Sequence, residues 1–353
     1  MQHPTRKMLA TLATTAGALT LAILCSPTPL DAKPPAKKKA PKLRMCTSGV
    51  LDKAKKPREW EHRRSAVVAS GKPDHSAQDL LTTSDHGVTI VGKFAYGRSS
   101  KDLEDELVEI LIDACDGSYK SLGSARTNDD GRIAFALDKA RLPEPGVYGI
   151  VLRVEGDGSA ITSTLRVFPP KTRLVVFDID GTLTTKDAEI FEDAIADFFE
   201  PIYDKEVVPE ERASAVEITQ LRHAQGYPLV YLTGRPYALT RITREWLTTQ
   251  GFAPGNLHVT DESEQVLPTE SGVGIFKRDY LKSLTAKGFI LEAAYGNAET
   301  DIFAYANANV SPARTFIAGV HGGKKGTQAV GEGYEKHLVA AKKEAAARQP
   351  FTR

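Results

Sequence analysis

The chain has 353 residues, 41% of them apolar and 26% charged, with a formal net charge of +1. That length is too great for one ordinary small domain and suggests two, and the composition is that of a soluble globular protein. So even a charge balance excludes strong steering by net charge, and no nucleic-acid partner is expected.

The front end reads as an export signal. Arg6 and Lys7 precede an apolar run from Met8 to Cys25, and Leu30-Asp31-Ala32 offers a small residue for cleavage. Residues 1–32 are then removed and the mature chain is exported, periplasmic or secreted. The alternative is an uncleaved membrane anchor, although the run is short for a span and is diluted by Thr11, Thr14, Thr15, Gly17 and Thr20. Cys46 and Cys115 remain as the mature thiols, either bridged or unpaired.

Residues 33–84 read as a basic Pro/Lys-rich linker and N-terminal extension. Residues 33–44 form a spacer, and basic side chains continue through Lys53, Lys55, Lys56, Arg58, Arg63 and Arg64 around Trp60. This is either a solvated linker or a peripheral contact with an anionic membrane. Residues 85–170 carry β-branched runs at Val88–Val91, Leu107–Ala114, Gly131–Leu137, Val147–Val154 and Ile161–Phe168. Turn signals separate them, so a small antiparallel β-sandwich is expected.

From residue 171 to 345 the period alternates between strand and helix. Strands are expected at Leu174–Phe177, Pro228–Leu232, Leu257–Thr260, Phe289–Tyr295 and Thr315–Ala318. Helices are expected at Ala188–Phe199, Glu211–Ala224, Ala238–Gln250, Phe276–Ala286 and Gly333–Arg348, the last docking through Tyr334, Leu338 and Val339. The fold class is therefore α/β, a doubly wound parallel sheet preceded by the sandwich.

Chemistry concentrates at the strand ends. The apolar run Leu174–Phe177 leads into Asp178-Ile-Asp180-Gly-Thr-Leu-Thr184, where two acids can share one hard cation and one phosphoryl group. Thr233-Gly234-Arg235-Pro236 supplies a hydroxyl and free backbone N–H groups before a helix whose positive end favours an anion. Lys277 offers a point charge for phosphate oxygens. Asn297 and Asp301, after the strand ending at Tyr295, offer oxygen ligands suited to magnesium. No close spacing of histidines supports a zinc site. Gly319-Val-His-Gly-Gly-Lys-Lys-Gly326 lacks the Gly-Lys-Ser/Thr spacing of a nucleotide loop and is not read as one.

Together these clusters resemble the haloacid dehalogenase (HAD) superfamily. Asp178-Ile-Asp-Gly-Thr-Leu-Thr184, Leu232-Thr-Gly-Arg-Pro236 and Gly296-Asn297…Asp301 resemble the lipin-type phosphatidate phosphatases. A longer likeness, over roughly residues 85–342, is to the C-terminal domain of the membrane-associated phosphatidylinositol-transfer proteins, the retinal-degeneration-B family. It includes Gly131-Arg-Ile-Ala-Phe, Gly146-Val-Tyr-Gly-Ile-Val-Leu and Gly333-Tyr-Glu-Lys-His-Leu338.

The resemblance implies a magnesium-dependent phosphatase. Asp178 would attack phosphorus and Asp180 would act as acid and then base. Thr233, Gly234 and Lys277 would hold phosphate oxygens. Asp178, the carbonyl of Asp180, Asp301 and Asn297 would hold the metal. Arg235 is the candidate for substrate selectivity. The transfer-protein relatives usually lack the first aspartate and bind phosphatidic acid without hydrolysis; here Asp178 is present. Ala298 stands where lipins tend to carry arginine, a departure that bears on selectivity. The expected substrate is phosphatidate or a related lipid phosphate. The alternatives are a non-catalytic phosphatidate-binding module and a phosphatase for soluble sugar phosphates or nucleotides.

Overall fold

The β-branched runs after Val88 form strands, as their period-2 alternation requires. The computed structural model describes residues 40–51, 57–185, 209–260 and 270–352, and from Ala40 onward these form one compact unit. The export signal, the first part of the basic spacer and the expected helix Ala188–Phe199 lie outside the described residues.

The sandwich strands are β1 (Leu80–Thr83), β2 (Val88–Lys93), β3 (Leu107–Asp113), β4 (Tyr119–Arg126), β5 (Arg132–Leu137), β6 (Gly146–Val154) and β7 (Ala160–Phe168). One sheet runs β1-β7-β6-β3-β4; the other holds Ser76–Ala77, β2 and β5. Ile90 and Ile133 from the second sheet pack against Val108, Ile110, Ile150, Leu152 and Leu165 from the first.

Two pairings depart from the expected antiparallel pattern. β1 runs parallel to β7, and Arg44–Cys46 runs parallel to β6. Both added strands come from the stretch expected to be linker and extension. They join because Leu80 and Cys46 bury their side chains in the sandwich core, while Leu81 packs on the other side with Leu174 and Val176 of the following domain. Cys46 is disulfide-bonded to Cys115, just beyond β3. Trp60 is half-buried against Gly156, where an added Cβ would meet its ring, and Arg58 pairs with Glu155 at 2.8 Å. Both side chains thus touch the sandwich, although the Arg58 side chain stays 63% exposed.

The second half is built on β8 (Arg173–Phe177), α1 (Ala215–Ala224), β9 (Leu229–Pro236), α2 (Thr240–Thr249), β10 (Gly255–Thr260), α3 (Ile275–Ala286), β11 (Ile290–Gly296), α4 (Glu299–Asn307), β12 (Thr315–Ala318), β13 (Gln328–Gly331) and α5 (Glu335–Ala341). The strands form one sheet, parallel throughout, in the order β10-β9-β8-β11-β12-β13.

Alternation explains why β8 is apolar at every position from Leu174 to Phe177. Val175 and Phe177 face one core with Ile218 of α1, Trp246 of α2 and Leu338 of α5. Leu174 and Val176 face the other with Leu281 of α3 and Tyr305 of α4. Both faces are thus covered by helices, and each such side chain contributes about 1.5–3 kcal/mol by leaving water. The chain builds outward from β8 to β10, then crosses to β11 on the other side. That reversal opens a crevice beyond the carboxyl ends of β8 and β11.

Candidate active site

The crevice begins where β8 stops. The backbone N–H of Asp178 donates to the carbonyl of Tyr295 in β11 at 2.9 Å, which fixes the first acid against the neighbouring strand. Gly181 takes a φ of 70°, a left-handed turn that glycine enters without a Cβ clash. Its carbonyl accepts from Arg212 Nη2 at 2.6 Å, and its N–H donates to Thr184 Oγ1 at 2.9 Å.

Asp178, Lys277 and Asp301 meet in this turn, all buried. Lys277 lies in the first turn of α3, and its Nζ donates to Asp178 Oδ1 at 2.6 Å and to Asp301 Oδ1 at 2.7 Å. The second oxygen of Asp178 lies 2.7 Å from Thr182 Oγ1, which is 3.0 Å from Asn297 Oδ1. The second oxygen of Asp301 accepts the N–H groups of Asn297 and Ala298 at 3.0 and 3.1 Å, capping α4. Asp301 can sit there because residue 296 is glycine: a Cβ on Gly296 would meet its side chain at 2.6–2.8 Å.

One ammonium faces two buried carboxylates, so the cluster carries a surplus negative charge. Burial first, and then the charge of Asp301, pushes Asp178 up to about 7 from its ordinary 3.8, against the pull of Lys277. For Lys277 burial opposes the charge, but Asp178 and Asp301 outweigh it and hold the amine above its usual range. The two partners therefore shift in the same direction, although a simple ion pair would lower the acid. Burial, with the second carboxylate of Asp301 adding to it, outweighs Lys277 and gives Asp178 its upward direction.

Asp180 does not turn toward this trio. Its carboxylate accepts from Thr233 Oγ1 at 2.8 Å and from Arg235, Nε at 3.1 Å to each oxygen and Nη2 at 2.8 Å. Arg235, the sequence candidate for selectivity, is only 3% exposed, and its Nη1 donates to Thr243 of α2 at 3.0 Å. It is a clamp behind Asp180 rather than a residue facing an incoming substrate. Thr233 is fully buried, with its oxygen also accepting the N–H of Arg235 at 3.1 Å. Gly234 lies against Val273, where a Cβ would meet Val273 Cγ2 at 2.8 Å.

Among the described residues no three His, Cys, Asp or Glu side chains converge on one point as a ready metal cage. The expectation that Asp178, Asp180, Asp301 and Asn297 share one ligand set therefore reduces to a smaller group of side chains. Asp178 and Asp301 already lie around a single cationic atom, and Asn297 is one hydroxyl away. Their oxygens are hard donors and their surplus charge is negative, so this pair fits a small divalent cation such as magnesium.

Sequence reasoning missed Thr182 and Arg212. Thr182 was legible in principle, since it stands four residues after Asp178 in the same turn. Arg212 carries no local signal: it reaches Gly181 from a segment distant in sequence.

The fold and site define a parallel α/β domain with a carboxylate-lysine-carboxylate cluster at its topological switch point, preceded by a β-sandwich. Residues 175–319 match the family model described as PITM 1-3, LNS2 domain, and residues 73–167 match that described as PITM 1-3, beta-sandwich domain. The chain is 29% identical over 292 residues to the mouse membrane-associated phosphatidylinositol transfer protein 3, covering 80% of this chain and 28% of the relative. It is 29% identical over 291 residues to the Drosophila melanogaster protein retinal degeneration B, covering 80% and 21%. The matched stretch is thus about a quarter of the length of these curated relatives. A solved structure described as a HAD-like phosphatase from Mesorhizobium loti aligns with 59% of this chain and 99% of its own at 17% identity and a TM-score of 0.35, a likeness that carries no argument.

Proposed function

We propose that this chain is an exported, magnesium-dependent phosphomonoesterase that works through an aspartyl-phosphate on Asp178, with phosphatidate or a related lipid phosphate as substrate. The observation that carries the reading is the buried Asp178 carboxylate at the switch point, with Lys277 on one oxygen and Thr182 on the other. A phosphate group entering opposite Asp178 meets the Lys277 ammonium and the Thr233-Gly234 stretch, where the ladder between β9 and β10 is interrupted. Asp178 Oδ attacks phosphorus, the P–O bond to the alcohol breaks, and the alcohol takes a proton from Asp180. Water then attacks phosphorus, Asp180 takes its proton back, and the Asp178–phosphorus bond breaks to release inorganic phosphate. Asp178 and Asp301 would hold magnesium, with Asn297 beside them. When bound, the ion supplies positive charge that offsets the phosphate and the two carboxylates. Lys277 keeps Asp178 and Asp301 a fixed distance apart, and Arg235 fixes the carboxylate plane of Asp180. The Cys46–Cys115 bridge supports an oxidising destination for the chain.

The lipid class rests on the relatives, which are named as phosphatidylinositol transfer proteins. One observation favours a second reading, a phosphatidate-binding module without turnover. Arg235 and Thr233 already engage both oxygens of Asp180, so neither oxygen is left facing the Asp178 cluster to serve a departing alcohol.

A phosphate-release screen with magnesium separates the readings, using phosphatidate in micelles against soluble sugar phosphates and nucleotides. Release from phosphatidate that Asp178→Asn abolishes is the expected result, because an amide cannot form the acyl-phosphate. Release from soluble monoesters alone would move the chain to the soluble phosphatases. Binding to phosphatidate vesicles with no release would favour the binding module.

A further inference from the structure

A cleft of about 210 Å³ lies between β7 of the sandwich and the amino-terminal end of β10, whereas Asp178 lies beyond the carboxyl end of β8. Its polar wall is built on Asp79. This carboxylate accepts the N–H of Thr164 at 3.0 Å on one oxygen and that of Leu257 at 3.1 Å on the other. It therefore ties the sandwich to the edge strand of the parallel sheet.

Two guanidinium groups share that single carboxylate. Arg244 Nη2 donates to Asp79 Oδ1 at 3.1 Å, and Arg166 Nη1 lies 3.6 Å from Asp79 Oδ2. Arg244 also donates to the carbonyl of Thr162 at 3.2 Å, and Arg166 donates to the hydroxyl of Thr164. Among the described residues lining the cleft, Asp79 is the sole acid, so one positive charge is left over. Thr248 sits at the rim, and Leu247, Phe252 and Leu257 make the opposite wall apolar. Arg166 and Arg244 have side chains 12% and 32% exposed, so the surplus charge is poorly screened by water. Burial holds Arg166 below its ordinary value even with Asp79 beside it, as expected of a cation short of counter-charge.

We propose that this cleft is a second, non-catalytic anion site that takes a phosphate group against Arg244 and Arg166, either as a free anion or as a small headgroup. Guanidinium forks suit the planar pairing of donors that a phosphate accepts. The apolar wall accommodates a short carbon chain attached to the phosphate, which bare surface arginines would not. The site does not depend on Asp178, Lys277 or magnesium, so it stands whether or not the chain is a phosphatase.

The test is equilibrium dialysis of inorganic phosphate against the full chain without magnesium, comparing wild type, Lys277→Met, Arg244→Gln and Thr248→Glu. Arg244→Gln and Thr248→Glu alter residues at the cleft mouth, and circular dichroism checks that each variant folds. The expected result is a class of bound phosphate that survives Lys277→Met and is weakened about tenfold or more by both cleft variants. Competition for that class by glycerol phosphate or by phosphatidylcholine vesicles containing phosphatidate marks a headgroup ligand. Competition by free phosphate alone marks a soluble anion. A phosphate isotherm that both cleft variants leave unchanged overturns the proposal.

Discussion

Gly296 shows how a single missing side chain places a buried carboxylate. A methyl there would occupy the space of the Asp301 carboxylate, which packs against the end of β11 and reaches Lys277 from that position. Gly296→Ala should therefore displace Asp301 without unfolding the sheet. Phosphate release is expected to fall about a hundredfold, as a misplacement near 1 Å of a positioning group does, with an unchanged circular dichroism spectrum; near-normal turnover would contradict this.

Asp178 gives a second prediction at this scale. Its folded value of about 7 lies above its ordinary 3.8. A raised acid contributes relative stability at low pH that is lost as pH rises through the folded value. Without metal, the melting temperature of Asp178→Asn should gain on wild type between about pH 4 and pH 7 and then hold its lead. A gap that stays constant across that window would contradict the account.

The acids were legible from sequence because a strand buried on both faces has few places to put charge except its end. Lys277 was legible for the same reason, near the start of a helix facing the crevice. The partners of Asp180 were less so: Arg235 was visible as a residue, but its inward turn to Asp180 and Thr243 depends on packing between β9 and α2.

The elements repeat this lesson. Strands with β-branched interiors lie within a few residues of where their alternation puts them, β8 and β12 most closely. β4 escaped notice because Tyr119–Arg126 is largely polar, with Leu122 and Ala125 as its aliphatic contacts on the core. Its pairing with β3, not its own sequence, holds it in place.

The final helix is shorter than its Ala/Lys/Glu composition suggests, ending at Ala341. Val339 is 59% exposed rather than docked, while Tyr334 and Leu338 are buried as expected. The helix stops where Glu344 is needed elsewhere. That carboxylate accepts from Arg222 Nη1 and Nη2 at 2.8 and 3.0 Å and from Arg314 at 2.9 Å. Arg222 is wholly buried in α1, so losing its partner leaves a cation in the core. Glu344→Ala should cost about 3 kcal/mol, the range for breaking a buried pair from one side, measured by urea denaturation. A loss below about 1 kcal/mol, the scale of a surface pair, would mean the pair acts as if exposed.

Over the whole molecule, the two halves are joined by specific polar contacts as well as by the Pro169-Pro170 passage. Gln78 accepts from the N–H of Val259 at 3.3 Å and donates to its carbonyl at 2.8 Å, covering the open edge of β10. Gln78 lies between the short strand Ser76–Ala77 and β1, inside the stretch 33–84 that sequence reads as linker and extension. Hydrophobic runs mark strands, but a glutamine serving as a surrogate strand leaves no periodic trace.

The disulfide acts at the same scale. Cys46 and Cys115 are separated by 69 residues, and closing a loop of that size restricts the unfolded chain by about 4 kcal/mol. Replacing both cysteines with serine should lower stability by that order while leaving the Asp178–Lys277–Asp301 cluster in place. Equal unfolding midpoints for the double variant and the parent would contradict it.

The most direct test is to trap the covalent intermediate. Wild-type protein quenched during turnover with phosphatidate and magnesium, then reduced with tritiated borohydride, which expels the phosphate and leaves homoserine, and digested, should carry tritium on residue 178 alone. Asp178→Asn should carry none. Steady release of phosphate with no label at residue 178, or a label on Asp180 or Asp301 instead, would contradict the account.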